Sequence, residues 1–319
     1  MNKKVQILRA IAIFAVVMIH TCPSGLKSVA IRPLINFGVG MFIFLSGYLT
    51  KLEVENISGF YRKRIVRILI PYFIWTTVYT IVLYGMDDLM PNILTTKACY
   101  AFYYVGVYIQ FVLLTPVIGN LIRSKYRWIG WAVQPIFIIL LIYIPEFMNK
   151  PLEHPWNGIF FVVWFSMYYL GMALGNKVIK IDLNKKVIFV LLVASICLQW
   201  GEGIAWYKFD HVSMAASQIK FSAMLTTIMF IICAYRFIES EKYEAKDNIL
   251  YNVVVRIGDY SFGIFLVHSL LISIAYKTSF WKLIPFPISS VLILFVSLCC
   301  VVIGTKVLGK KISKYLGLN

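Results

Sequence analysis

The segment that decides the fold reads VQILRAIAIFAVVMIHTC and occupies residues 5–22. It is long enough and apolar enough to cross a bilayer as a helix, and Arg9 and His20 are its only basic side chains. Lys3 and Lys4 precede it, as in a secretory signal peptide, but no small-x-small cleavage site follows. The segment is therefore predicted to be a retained first membrane helix.

The rest of the chain repeats this pattern of apolar runs separated by short polar connections. Of the 319 residues, 60% are hydrophobic and only 14% are charged, against about 25% charge in a typical soluble domain. The pattern predicts an all-α fold, a polytopic transmembrane helical bundle of about ten helices that forms a single domain over residues 1–319. The candidate spans are residues 5–22, 32–50, 65–84, 98–119, 128–145, 158–175, 187–204, 218–238, 254–276 and 287–308.

The basic residues indicate the orientation of this bundle in the membrane. If the N-terminus is cytoplasmic, 23 of the 31 lysines and arginines fall in cytoplasmic segments and 8 in outer segments. Cytoplasmic loops carry such an excess of basic residues, so both termini are predicted to lie in the cytoplasm. The same bias accounts for the net charge of +17, and no nucleic-acid partner is expected.

Two ionisable side chains share the first predicted helix, and ionisable groups within spans are often functional. Arg9 and His20 are eleven residues apart, which is three helical turns plus about 20°, so both side chains lie on one face about 16 Å apart. They could line a common cavity. Alternatively, Arg9 extends to the lipid headgroups and His20 lies at the outer interface.

The third predicted span begins with two arginines, Arg64 and Arg67, on one helix face. Arg62 and Lys63 precede them and are typical of a cytoplasmic anchor. Arg67 is followed by apolar residues, and a guanidinium in that setting favours an anionic partner such as the phosphates of a ligand that enters from the cytoplasm. An anchoring role is the alternative for both arginines.

A second histidine, His268, lies in the ninth predicted span at nearly the same depth as His20. The two imidazoles could meet in one cavity, or His268 could form a hydrogen bond between helices. His154 and His211 fall in predicted outer loops, where little function is expected. The six cysteines form no C-x-x-C pair, so neither disulfides nor a metal site is predicted.

Four motifs, taken in order, resemble the integral-membrane acyltransferases often called acyltransferase family 3. The motifs are Leu8 to His20, with an arginine and a histidine separated by ten residues; FGVGMFIFLSGYL at residues 37–49; Arg64-Ile65-Val66-Arg67; and Ser261 to His268. The sequence differs from the family pattern at two places. Residues 101–105, AFYYV, lack the histidine and tryptophan that many members carry there, and Gly40 stands where aspartate or proline is common.

The resemblance implies transfer of an acyl group, usually acetyl, from cytoplasmic acyl-coenzyme A to an envelope sugar at the bacterial cytoplasmic (inner) membrane. It implies catalytic roles for His20 and Arg9, coenzyme binding by Arg64 and Arg67, and His268 as a second site group. His20 could act as the general base towards the acceptor hydroxyl, or it could carry the acyl group itself. Acetyl-coenzyme A is the expected donor and co-substrate; the lipid bilayer and an envelope glycan or lipid-linked sugar are the other expected partners.

Two other classes of function are compatible with the sequence. The chain could be a transporter of a small amino acid or a glycan intermediate that uses the same cavity without an acyl donor. It could also be a structural membrane partner without a site, in which case Arg9 and His20 would be dispensable.

Overall fold

The structure is a computed structural model that describes residues 2–240 and 248–318. Within these ranges it is all-helical, with 78% of the residues in helices and no strands. We label the eleven longer helices α1 (Lys3–Thr21), α2 (Leu26–Tyr48), α3 (Ile57–Leu83), α4 (Tyr103–Arg123), α5 (Ile129–Phe147), α6 (Phe161–Gly175), α7 (Lys185–Lys208), α8 (Phe221–Glu239), α9 (Ile249–Asp259), α10 (Ser261–Ala275) and α11 (Ile288–Tyr315). Short helical turns at Leu89–Thr95, Trp156–Ile159, Val212–Ala215 and Phe280–Leu283 lie in the connections.

The predicted membrane bundle is confirmed, and each of the ten predicted spans overlaps one of these helices. In the described ranges, eight helices are long and apolar enough to cross a membrane, and the pair α9 and α10 makes a ninth if it forms one span. The remaining predicted span, 158–175, corresponds to α6, a shorter apolar helix. The orientation of the termini stays a prediction; Lys242 and Lys246, two of the cytoplasmic basic residues counted above, lie outside the described residues.

The predicted span 254–276 is not one straight helix, because α9 and α10 meet at an angle of 77° at Tyr260. The polar side chains of α9 recur every three or four residues at Asn252, Arg256 and Asp259. Such an amphipathic helix is suited to a membrane interface and poorly suited to the hydrocarbon core. The apolar run of residues 261–275 therefore continues in a different direction as α10.

Helix α1 lies at the centre of the bundle. It packs against α2, α8, α9, α10 and α11, and 61% of its apolar window is buried, against 17% for α11. The contact with α9 is especially close, since a Cβ atom added to Gly258 would lie 2.0 Å from the carbonyl oxygen of Gln6. Small residues allow membrane helices to approach in this way. The closeness fixes Asp259, the last residue of α9, beside the N-terminal half of α1.

Two helix ends shape the region around α1. Helix α3 begins at Ile57, two turns before the predicted start of its span, so Arg64 and Arg67 lie within the helix and not at its opening. The predicted tenth span ends at residue 308, and α11 has a kink at the next residue, Gly309, where φ is 73°. The chain then returns to the bundle, where the indole nitrogen of Trp75 donates a hydrogen bond to the Leu316 carbonyl oxygen at 3.0 Å.

Candidate functional site

The three arginines singled out from the sequence meet in one cavity of about 170 Å³, which we call the lower cavity. Arg9 comes from α1, whereas Arg64 and Arg67 come from α3, and Asp259 closes another side. Arg64 is half-buried with its guanidinium 4.8 Å from the centre of the Phe60 ring, while Arg67 is exposed. The further lining residues are Val16, Val39, Phe42, Ile68, Tyr104, Tyr108, Ser261, Phe262, Gly263, Phe265 and Gly317.

A short hydrogen-bond chain orients Arg9 within the lower cavity. The amide nitrogen of Gln6 donates to the Asp259 carboxylate at 2.6 Å, and the Gln6 amide oxygen lies 3.5 Å from an Arg9 guanidinium nitrogen. Gln6 is buried and can link the two charged groups because its amide both donates and accepts. The carboxylate thus offsets part of the charge of three arginines and leaves the cavity net positive.

His20 lines a second cavity of about 200 Å³ at the opposite end of α1, which we call the upper chamber. Arg32, Tyr100 and His154 stand in its wall with His20. The ring centres of Tyr100 and His154 are 3.9 Å apart and nearly parallel, and Tyr100 is 61% exposed, so the chamber reaches the surface there. The remaining lining comes from α1, α2, α4, α10 and the connections at residues 157–158 and 213–219.

The lower cavity and the upper chamber meet at a common wall. Val16, Val39, Tyr104 and Phe265 line both spaces. Val16 lies on α1 between Arg9 and His20, so these two side chains line adjoining cavities along one helix.

His20 and His268 also meet, with ring centres 5.2 Å apart. The Nδ1 atom of His268 lies 2.8 Å and 3.1 Å from the carbonyl oxygens of Phe265 and Ile264; since carbonyls only accept, Nδ1 carries the proton. Its Nε2 atom then accepts from the Ser269 hydroxyl at 3.1 Å. His268 is fully buried, and both of its ring nitrogens make hydrogen bonds. His20 makes no hydrogen bond within the described residues and lines the upper chamber.

Sequence comparisons identify the family of the chain. The sequence model of acyltransferase family 3, described as an acyltransferase domain, matches residues 2–306. The chain belongs to this family. It is thus a multi-pass membrane protein of an acyltransferase family, as the four motifs indicated.

Curated relatives of this acyltransferase-family chain are distant. A Staphylococcus aureus protein (strain Mu50), named "Probable poly-beta-1,6-N-acetyl-D-glucosamine export protein", is 24% identical over 263 residues, which cover 76% of this chain and 71% of the relative. The protein of the same name from strain MSSA476 is 23% identical over the same shares. No solved structure matches the chain significantly.

Four residues of this candidate site were not singled out from the sequence: Asp259, Arg32, Tyr100 and His154. Asp259 had a signal that could have been used, because it is an acidic residue just before the apolar run of α10. Arg32 was counted only as an outer basic residue at the beginning of a span. Tyr100 and His154 come from separate connections, and only the tertiary fold brings them together.

His154 supplies an imidazole close to the place where many family members carry a histidine on the fourth helix. Its ring stacks on Tyr100 and lies edge-on to Tyr103, the first residue of α4, with ring centres 6.1 Å apart. Burial, followed by the nearby charge of Lys97, lowers the pKa of His154 from 6.5 to about 4, so the imidazole is neutral near pH 7. His154 thus stands in the wall of the upper chamber, although little function was expected of it from the sequence.

Metal ligands do not cluster in the part of the chain that the structure describes, where no group of three or more His, Cys, Asp or Glu side chains could hold an ion. All six cysteines are free thiols.

Proposed function

We propose that this protein is a membrane O-acyltransferase that moves an acyl group, with acetyl the first to test, from cytoplasmic acyl-coenzyme A to a hydroxyl of a cell-surface glycan or its lipid-linked precursor. The observation that carries the proposal is the joint placement of Arg9, Arg64 and Arg67 in one cavity and His20 in the next, with a shared wall. The proposed location is the bacterial cytoplasmic membrane.

The lower cavity fits the donor. Acyl-coenzyme A carries several phosphate groups, and guanidinium groups bind phosphate through short, charge-assisted hydrogen bonds. Arg64 and Arg67 lie towards the end of α3 that the basic residues predict to be cytoplasmic, and we assign them to the phosphates. Arg9, held by the Gln6–Asp259 pair in the same cavity, would position the donor's acyl-bearing arm.

The upper chamber fits the acceptor and the reaction. His20, as a neutral imidazole, would take the proton of the acceptor hydroxyl while that oxygen attacks the thioester carbonyl carbon. The carbon–sulfur bond then breaks, the new ester leaves with the acceptor, and the proton on His20 passes to the coenzyme thiolate. His268, with its proton fixed on Nδ1, would support the position of the His20 ring.

Labelled acetyl-coenzyme A added to inverted vesicles, with the envelope glycans then analysed, tests this function. We expect His20→Ala to abolish incorporation of label while the protein still inserts into the membrane. His211→Ala is the matched control, because that imidazole pairs with Glu146 at 2.8 Å and lines neither cavity. Full incorporation by the His20 variant would exclude the proposed role.

The same vesicles distinguish the two roles open to His20. A general base leaves no covalent trace, whereas an acyl carrier would leave label on the protein when the acceptor is omitted. We favour the general base. Label on the wild type that hydroxylamine removes and that is absent from His20→Ala would instead support the acyl-carrier role.

A second candidate function is export of a glycan or its intermediate. It is favoured by the two adjoining cavities along α1 and by the name of the distant relatives, which are called export proteins. A transporter would move its substrate across vesicles that lack acyl-coenzyme A. Transport under that condition, unchanged in His20→Ala, would favour export over acyl transfer.

A further inference from the structure

The upper chamber contains polar atoms that no neighbouring group satisfies. In residues 2–240 and 248–318, nine buried side-chain nitrogen or oxygen atoms lack a hydrogen-bond partner, and three of the nine belong to residues that line this chamber. They are Arg32 Nε, His154 Nε2 and Gln218 Oε1. Buried polar groups in native proteins are normally paired, so such a concentration in one cavity points to a missing ligand.

Arg32 is the most informative of the three because it is charged. One of its terminal nitrogens is 3.5 Å from the Asn36 amide oxygen, and its other polar neighbours are the Cys22 thiol and the phenols of Tyr100 and Tyr103. No carboxylate lies within 4.0 Å of Arg32 anywhere in the described chain, and none lines the chamber. The lower cavity differs in this respect, since Asp259 faces its arginines.

Water could satisfy two of these atoms but not the charge. A water molecule can donate to Gln218 Oε1 or pair with the neutral His154 ring, whose pKa of about 4 keeps it uncharged near pH 7. The Arg32 guanidinium is half-buried, and an anion offsets the desolvation of a guanidinium that is drawn partly out of bulk water. The ligand of the chamber should therefore carry an oxyanion.

The aromatic side of the chamber indicates what bears that oxyanion. The flat stack of Tyr100 and His154 presents a ring surface near the opening, and the Gln218 amide, which donates to the Tyr103 hydroxyl at 2.7 Å, leaves its oxygen free to accept from a hydroxyl. A stacking surface combined with hydroxyl-binding groups suits a sugar ring. His20 stands in the same chamber, with its ring 6.5 Å from that of Tyr100.

We propose that the upper chamber binds an acidic sugar, with Arg32 pairing with the carboxylate or phosphate of that sugar and the Tyr100–His154 stack and Gln218 holding its ring and hydroxyls. The inference rests on the proposed function in that the sugar is the acyl acceptor. It narrows the acceptor to glycans or glycan precursors that bear an oxyanion close to the acylated residue.

Binding to the full-length protein in phosphatidylcholine nanodiscs tests the proposal without any acyl transfer. The probes are methyl glucuronide, glucose 6-phosphate and, as the neutral reference, methyl glucoside. We expect at least one acidic probe to bind more tightly than the neutral sugar, and Arg32→Gln to weaken that probe roughly ten- to hundredfold while leaving the neutral sugar unchanged. Arg32→Lys should restore part of the difference.

The control variant is Lys27→Gln, which removes an exposed cation from the first turn of α2, outside the chamber, and should change no affinity. The proposal is overturned if neither acidic probe is preferred, or if Arg32→Gln leaves the preference intact. It is also overturned if added phosphatidylglycerol removes the preference, because a lipid headgroup would then be the natural partner of Arg32.

The result of the sugar-binding assay can be interpreted independently of the result of the acyl-transfer experiment. Because the binding assay contains no acyl-coenzyme A, a preference for acidic sugars would stand even if no acyl transfer were found, and the site would then serve export. Conversely, if Arg32→Gln lowers kcat for neutral and acidic acceptors alike without changing their affinity, Arg32 acts on the reacting carbonyl and the acceptor assignment fails.

Discussion

The contact between α1 and α9 connects the fold to the site, and Gly258→Ala tests it directly. The added methyl group would lie 2.0 Å from the Gln6 carbonyl oxygen and 2.6 Å from its carbonyl carbon, whereas ordinary contacts begin at 3.4 Å. Both atoms are backbone and cannot rotate away, so the helices must separate by about 1.4 Å, the difference between 3.4 Å and 2.0 Å.

That separation has two expected consequences. Overpacking of this size costs about 1–3 kcal/mol of unfolding free energy, which lowers Tm by several degrees. A displacement of the adjacent Asp259 by a similar amount takes its 2.6 Å bond from Gln6 out of hydrogen-bonding range and releases the support of Arg9. We therefore expect the KM for acetyl-coenzyme A to rise as well.

Thermal unfolding in detergent and acyl transfer in vesicles measure these two effects. Gly201→Ala is the matched control, because Gly201 lies within α7 and nothing stands within 4 Å of its added Cβ. Alanine favours a helix over glycine by about 1 kcal/mol, so this variant should be as stable as the wild type or slightly more stable. If Gly258→Ala matches it in both Tm and KM, the close approach of the two helices is not what holds Arg9.

Three further predictions concern single side chains. Arg67→Gln should raise the KM for acetyl-coenzyme A about tenfold or more by removing a phosphate contact. Arg62→Gln changes an exposed neighbour outside the lower cavity and should leave this KM unchanged. Equal effects of the two variants would contradict the assignment of Arg67 to the phosphates. Tyr79→Phe should lower the free energy of unfolding by about 1–3 kcal/mol, because the buried hydroxyl donates to one backbone carbonyl of α10 at 3.0 Å and accepts from a backbone N–H at 2.8 Å. In the same thermal unfolding measurement, Tyr84→Phe at the exposed end of α3 should leave the stability unchanged. The folded-state pKa of His154 lies below its unfolded value of 6.5, so the unfolded chain binds one more proton and the stability of the protein should fall as the pH drops from 6.5 towards 4. His154→Gln should reduce this dependence of Tm on pH. An unchanged dependence would argue against burial of the neutral ring.

The sequence by itself determined the membrane class, the approximate positions of ten apolar helices and the family. Apolar runs near 20 residues long have few alternatives to a membrane helix, since backbone groups in lipid must pair internally. The period of the helix also placed Arg9 and His20 on one face without any tertiary information. These features depend on residues close together in the chain, so a single sequence carries them.

Only the tertiary structure decided which helices surround that face. Whether His268 reaches His20, and whether Arg64 and Arg67 reach Arg9, depends on packing between segments far apart in the chain, which no local period records. The position of Asp259 beside α1 follows from the close approach of Gly258 to Gln6. The upper chamber joins Arg32 of α2 with Tyr100 and His154 from two separate connections, and because no sequence period relates these three segments, their meeting beside His20 could be found only in the folded chain.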